Sequence, residues 1–143
     1  MSYTTIRTAV KDAASTAILA VLPANLQSVQ IVQAFDYDKL QSRRIEIMAN
    51  ATPQISGATV TGWDVELIIN AVTDAAHYTK AQHETLTSYV ESFVMYDDIT
   101  TRMTNSTVVT QVATPGQSTE NILEDHRVTT FNLMLQCYLP AAV

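Results

Sequence analysis

The chain has 143 residues, 47% of them apolar and only 15% charged, with a net charge of −6. That length suits one domain with a sizeable core, and the charge content is well under the roughly 25% of an average soluble domain. Arg43 and Arg44 are the only adjacent basic pair, so binding in a nucleic-acid groove, which needs several phosphate contacts from basic side chains, is set aside. An acidic ring around a nucleic-acid passage is still compatible with the balance, because repulsion keeps a polyanion from sticking. The single cysteine, Cys137, excludes an intrachain disulfide. It sits in an alternating apolar run and is expected as a buried, inert thiol. No run reaches the ~18 apolar residues of a membrane span. The first residues lack a basic region leading into an apolar core, so a cytoplasmic origin is expected.

In chain order, Ile6, Ala9, Val10, Ala13, Ala14, Ala17, Ile18 and Val21 recur at helical spacing. They predict a helix over 5–21, opened by Thr4 or Thr5 and closed before Pro23. Residues 28–34 read as a short strand and 35–38 as a turn or exposed loop. Alternation from Arg43 through Asn50 predicts a half-buried strand, and Thr52-Pro53 through Gly57 predicts a loop or strand end. Trp63 to Ala71 is a second alternating strand, able to pair with 43–51 as an antiparallel hairpin. Thr79 with Gln82 matches a capping box and opens a helix to about Met95, with Leu86, Tyr89, Val90, Phe93 and Val94 on one face. Residues 107–112 read as a strand and 114–125 as a polar loop. Phe131, Leu133, Leu135, Cys137 and Leu139 share one face of a final strand. The order α-β-β-β-α-β-β predicts a single α+β domain over 1–143: a mostly antiparallel sheet with two helices packed on one face.

Candidate chemistry is sparse. His77 and His83 stand six apart around a helix start, which is not a zinc-ligand spacing, so a solvated helix N-terminus is expected there. His126 follows Glu124 and Asp125 with Ser118 and Thr119 nearby, but no Gly-x-Ser-x-Gly elbow supports a triad. Asp36 and Asp38 lack the glycine and distal glutamate of an EF-hand loop. Three glycines and no glycine-rich strand-to-helix turn leave phosphate cradling unsupported. Trp63, in an alternating strand, is expected in the core. No catalytic residue, cofactor or metal is therefore assigned.

The helix Ile6–Val21, the strand Arg43-Arg44-Ile45-Glu46-Ile47, the strand Trp63–Ala71 leading to helix 80–95, and the closing run Arg127-Val128-Thr129-Thr130-Phe131-Asn132-Leu133 together resemble the tail terminator (tail completion) proteins of long-tailed bacteriophages. The resemblance covers nearly the whole chain and is one of architecture. It implies a virion protein, assembled in the host cytoplasm, that forms a ring, typically a hexamer, at the head-proximal end of the tail tube. Such a ring ends tube polymerisation, meets the tail-tube protein on one side and a head-side connector or stopper on the other, and passes DNA through its lumen without specific binding. Subunit or partner contacts are expected in 36–42, 52–59 and 114–126, through Asp36, Tyr37, Asp38, Arg43, Arg44, Pro53, Gln117, Glu120, Glu124, His126 and Arg127. Other neck, connector or minor tail proteins share these features. A small enzyme or ligand-binding domain using His126 with Glu124 or Asp125 is the alternative from a different class.

Overall fold

The computed structural model describes residues 2–33 and 40–140. The expected contacts Asp36, Tyr37 and Asp38 lie outside the described residues. The elements are α1 (Tyr3–Val21), a 3-10 turn (Ala24–Leu26), β1 (Gln30–Gln33), β2 (Arg43–Ser56), β3 (Thr59–Asp74), α2 (Lys80–Val94), α3 (Ile99–Arg102), β4 (Val109–Leu123) and β5 (His126–Tyr138). One five-stranded sheet has the order β1-β2-β3-β5-β4. Only β1–β2 is parallel; the other three pairs are antiparallel. This is the expected α+β class.

The apolar stripe of α1 places Ile6, Ala9, Val10, Ala13, Ala14, Ala17 and Ile18 in the core, and its alanines let the helix axis approach the sheet closely. The helix starts two residues earlier than the stripe suggests. Ser2, not Thr4 or Thr5, is the cap, its hydroxyl accepting from the Thr5 N–H. At the other end Gln27 donates its side-chain amide to the carbonyls of Leu19 and Leu22, satisfying groups a helix end leaves open. α2 begins with the full capping box between Thr79 and Gln82 and buries Leu86, Val90 and Phe93. Both helices pack on one sheet face, α1 over β2 and β3, α2 over β3 and β5. That face presents Ile45, Ile47, Val65, Leu67, Ile69, Leu133 and Leu135, all essentially inaccessible. Each such side chain contributes roughly 1.5–3 kcal/mol on burial. Trp63 is buried among them, with the Tyr3 ring edge-on at 5.2 Å. The four-residue α3, absent from the sequence reading, is held by buried Ile99 and is followed by buried Met103.

Two expected loops are strands. The segment from Thr52 to Ser56 continues β2 and pairs with β3 down to Ser56↔Thr59. Pro53 is accommodated because β1 pairs only with residues 44–47. Beyond Ile47 β2 is an edge among the described residues, and on an edge a proline need not break a ladder bond. Gly57, at φ 63, supplies the left-handed residue of the turn. Likewise the 114–123 stretch is not a polar loop but most of β4, paired to β5 from Val109↔Tyr138 to Leu123↔His126. Pro115-Gly116 is absorbed by an irregularity between Pro115 and Ser118, as a bulge on an edge strand allows. The reversal is confined to Glu124 and Asp125, at φ 47 and 66, the two positive angles that a tight type I′ hairpin turn demands.

Candidate functional site

The sheet carries two chemically different regions. On the helix side, at the end where β4 turns into β5, one register row runs Arg43–Thr73–Arg127–Ile122 across β2, β3, β5 and β4. The β3–α2 connection lies over it. Arg43 stacks its guanidinium 5.3 Å from the Tyr78 ring centroid, and Arg127 donates to the Tyr78 carbonyl at 2.8 Å. Two of the three arginines expected as partner contacts are thus engaged on Tyr78, a residue nothing in the sequence singled out.

Beside this row, α2 and the β4–β5 hairpin enclose a groove of about 520 Å³, lined by Lys80, His83, Glu84, Glu120, Ile122 and Arg127 among others. His83, expected in a solvated helix start, is buried (6% exposed). Its Nδ1 meets the Thr73 hydroxyl at 2.8 Å and its Nε2 the Thr129 hydroxyl at 2.9 Å, tying α2 to β3 and β5. Desolvation lowers its pKa below the usual 6.5, the Arg127 charge lowers it further, and the carboxylates of Glu120 and Glu84 oppose both. The sequence did hold a signal: His83, Leu86, Val90 and Phe93 follow one another at helical face spacing. At the groove rim Lys80 and Glu84 form a loose 3.7 Å pair, of the exposed kind that contributes little.

Other candidates disperse. Ser118 pairs with Phe131 while His126 pairs with Leu123, so the two sit five residues apart along β5, about 16 Å at strand rise, and form no nucleophile–base pair. The His126 ring meets the Glu124 carbonyl at 3.0 Å. His77 is exposed against Asp74 at 3.0 Å, away from His83's hydroxyl partners. The Asp74 carboxyl is held below its usual range by the Ala76 N–H and then by the His77 ring. Among the described residues no three His, Cys, Asp or Glu side chains converge. Gln117, Glu120 and Glu124 are exposed on the hairpin. Pro53 lies half-buried near the far end of β2, away from this cluster.

The opposite sheet face is mixed, with polar pairs set among the apolar side chains of Met48, Ile68, Val72 and Met134. Arg44 donates to Glu46 at 2.9 Å, the Asn70 amide donates to the same carboxylate at 3.3 Å, and the Thr130 hydroxyl donates to Asn70 at 2.7 Å. Further along, Asn50 donates to Glu66 at 3.2 Å and Gln54 to Asp64 at 2.8 Å. Three carboxylates on this face are therefore each held by a neighbouring amide, with Arg44, itself bonded to the Gln41 carbonyl at 2.9 Å, as the cation among them. Among the described residues no helix is long and apolar enough to cross a membrane.

No family model matches the sequence, and no curated protein is similar to it. Solved structures do share the fold. A chain of the virion of a native gene transfer agent particle superposes with a TM-score of 0.68 over 95% of this chain and 98% of its own length, at 14% identity. At that identity the likeness concerns the fold alone, and it extends over nearly all of both chains.

Proposed function

We propose that this chain is a structural virion protein that forms a ring, a hexamer by the tail-terminator resemblance, at the head-proximal end of a phage tail tube. There it ends tube polymerisation and joins the tail to a head-side connector or stopper, with DNA passing through the lumen unbound. The observation that carries the reading is the end-to-end likeness to a chain of a gene transfer agent virion, which spans nearly all of both molecules. Two features support it. The low charge content suits surfaces covered by neighbouring subunits, and the face bearing Glu46, Asp64 and Glu66 suits a passage that does not retain a polyanion. No catalytic step is assigned to any residue.

The test is the mass of the purified protein by light scattering, alone and mixed with tail-tube protein, with electron microscopy of the tube ends. A defined ring, or one formed only on tube ends, is expected. A monomer that ignores tube ends overturns the terminator role. Binding to the head-side connector but not to tube ends moves the protein elsewhere in the neck.

A further inference from the structure

Among the described residues the sheet has two edges that are open over part of their length. β4 is outermost over all 15 residues, and of these only Glu120 is charged; at its start the Thr110 N–H and carbonyl are both bonded to the Thr104 hydroxyl, so the edge is open from Gln111 onward. On the other side β1 ends opposite Ile47, and no described residue pairs with the outer side of β2 from Met48 to Ser56, a stretch with no charged residue at all. Proteins that keep their edges apart guard them with lysines, inward charges, prolines, bulges or a covering element. Here prolines and irregularities interrupt both edges, at Pro53 and Gln54/Ile55 on β2 and at Thr110/Val112 and Pro115/Ser118 on β4. The regular stretches between them, from Met48 to Thr52 and from Val112 to Thr114, carry no charge and include the exposed apolar side chains of Met48 and Val112. The two edges also run in opposite directions, since three antiparallel pairings separate β2 from β4.

We propose that the β4 edge of one copy pairs with the open β2 edge of the next, continuing the sheet as an antiparallel ladder between subunits. The surface is two different patches of the same chain, so the contact is heterologous and generates a closed ring or an open fibre according to its rotation. The proposal rests on the ring reading only for closure. The register rows Asn50–Glu66–Met134–Thr114 and Thr52–Asp64–Gln136–Val112 bring the Asn50–Thr52 stretch of one copy level with Val112–Thr114 of its neighbour, offset by whole pleats where the sheet is staggered. Pro53 and Pro115 fall just outside the two stretches, which keeps the ladder short without blocking it.

Paired cysteines test this. One of Asn50, Thr52 or Gln54 is changed to Cys together with Val112 or Thr114, six variants in all. Thr52 and Val112 lie three strand spacings apart in one copy, about 14 Å, too far for an intramolecular disulfide. Cys137 is buried, and the unaltered protein oxidised in parallel controls for it. At least one pair, such as Thr52→Cys with Val112→Cys, is expected to give a non-reducing ladder of dimer, trimer and higher covalent oligomers, while each single variant stops at dimer. A ring seen by light scattering with no ladder from any pair overturns edge pairing and leaves the ring reading standing. A ladder from open fibres supports edge pairing and overturns the ring. A protein that stays monomeric and uncrosslinked, with tail-tube protein present, overturns both.

Discussion

His83 is the most exacting test of the packing between α2 and the sheet. Its ring is buried and bonded to Thr73 and Thr129, hydroxyls that are themselves 0% and 4% exposed. In His83→Ala both bonds are lost and two buried hydroxyls are left without this partner. Each hydroxyl left without its partner costs about 1–3 kcal/mol, so a loss of roughly 2–6 kcal/mol is expected. For a chain of this length that lowers Tm by roughly 7–20 °C. His83→Gln offers a donor and an acceptor but does not titrate, which separates the electrostatic part. The folded pKa of His83 is lowered from 6.5, by desolvation first and the Arg127 charge second. As pH falls through 6.5 the unfolded chain binds a proton that the folded chain refuses. The contribution is therefore fully present above 6.5 and is lost on the acid side, until the folded value is reached. Between about pH 7.5 and about pH 5.5 this amounts to at most about 1.4 kcal/mol, reached if the ring stays neutral throughout. Both hydroxyls can accept as well as donate, so hydrogen bonding does not resist protonation; burial and Arg127 do. Urea unfolding of the parent, His83→Ala and His83→Gln across this range, at one protein concentration so that assembly adds no mass-action effect, measures both parts. A loss under about 1 kcal/mol in His83→Ala, or a parent acid slope equal to that of His83→Gln, would refute the reasoning.

Three further outcomes are expected. Cys137 is buried, and burial pushes its thiol pKa up despite the Thr110 hydroxyl nearby; a colourless-to-coloured thiol reagent should therefore react at the rate of unfolding, and rapid reaction in the native protein would contradict the packing. Replacing Glu124-Asp125 by Asn-Gly should raise stability by about 1 kcal/mol, because asparagine and glycine adopt the two positive φ angles of this turn at less cost; an unchanged or lower urea midpoint would count against the turn geometry. Thr79→Ala removes one half of the capping box and should cost about 1 kcal/mol, whereas Thr79→Ser should retain most of it; equal stabilities for Ala and Ser would show that the cap contributes nothing.

The parts of the fold legible in the sequence are those where a buried face imposes a period. The Ile6-to-Ile18 stripe, the alternation of Phe131, Leu133, Leu135 and Cys137, and the Thr79–Gln82 box each repeat a local physical demand, and each lies where it was expected. Helix ends are less legible, since Ser2, Thr4 and Thr5 are all competent caps and the helix uses the first. His83 was misread because a histidine near a helix start reads as solvated unless its face is counted with Leu86 and Val90. Tyr78 gave no signal: its role comes from a register that places Arg43 and Arg127 either side of Thr73, and register between distant strands has no local signature. The expected contact residues divide accordingly. Arg43, Arg44 and Arg127 have internal partners, while Gln117, Glu120 and Glu124 are exposed on the hairpin.

The misreading of β4 has a physical cause that bears on assembly. A strand announces itself by alternation only when one of its faces is buried. From Thr114 to Leu123, β4 has no buried residue, so its composition was free to look like a loop, with Pro115-Gly116 at the bulge as the strongest false signal. Such a segment owes its extended conformation to a single ladder, with β5, and gains little from packing. A 15-residue strand with one ladder and no buried outer half is a poor investment for a monomer, which would do as well with a shorter hairpin. The whole strand carries one charge, Glu120, is β-branched in several positions and is open along its outer edge from Gln111, which suits a second ladder supplied from outside at Val112–Thr114. The absence of alternation that hides the strand and the scarcity of charge along its edge thus have one explanation if β4 is completed by another subunit, and two unrelated ones if it is not.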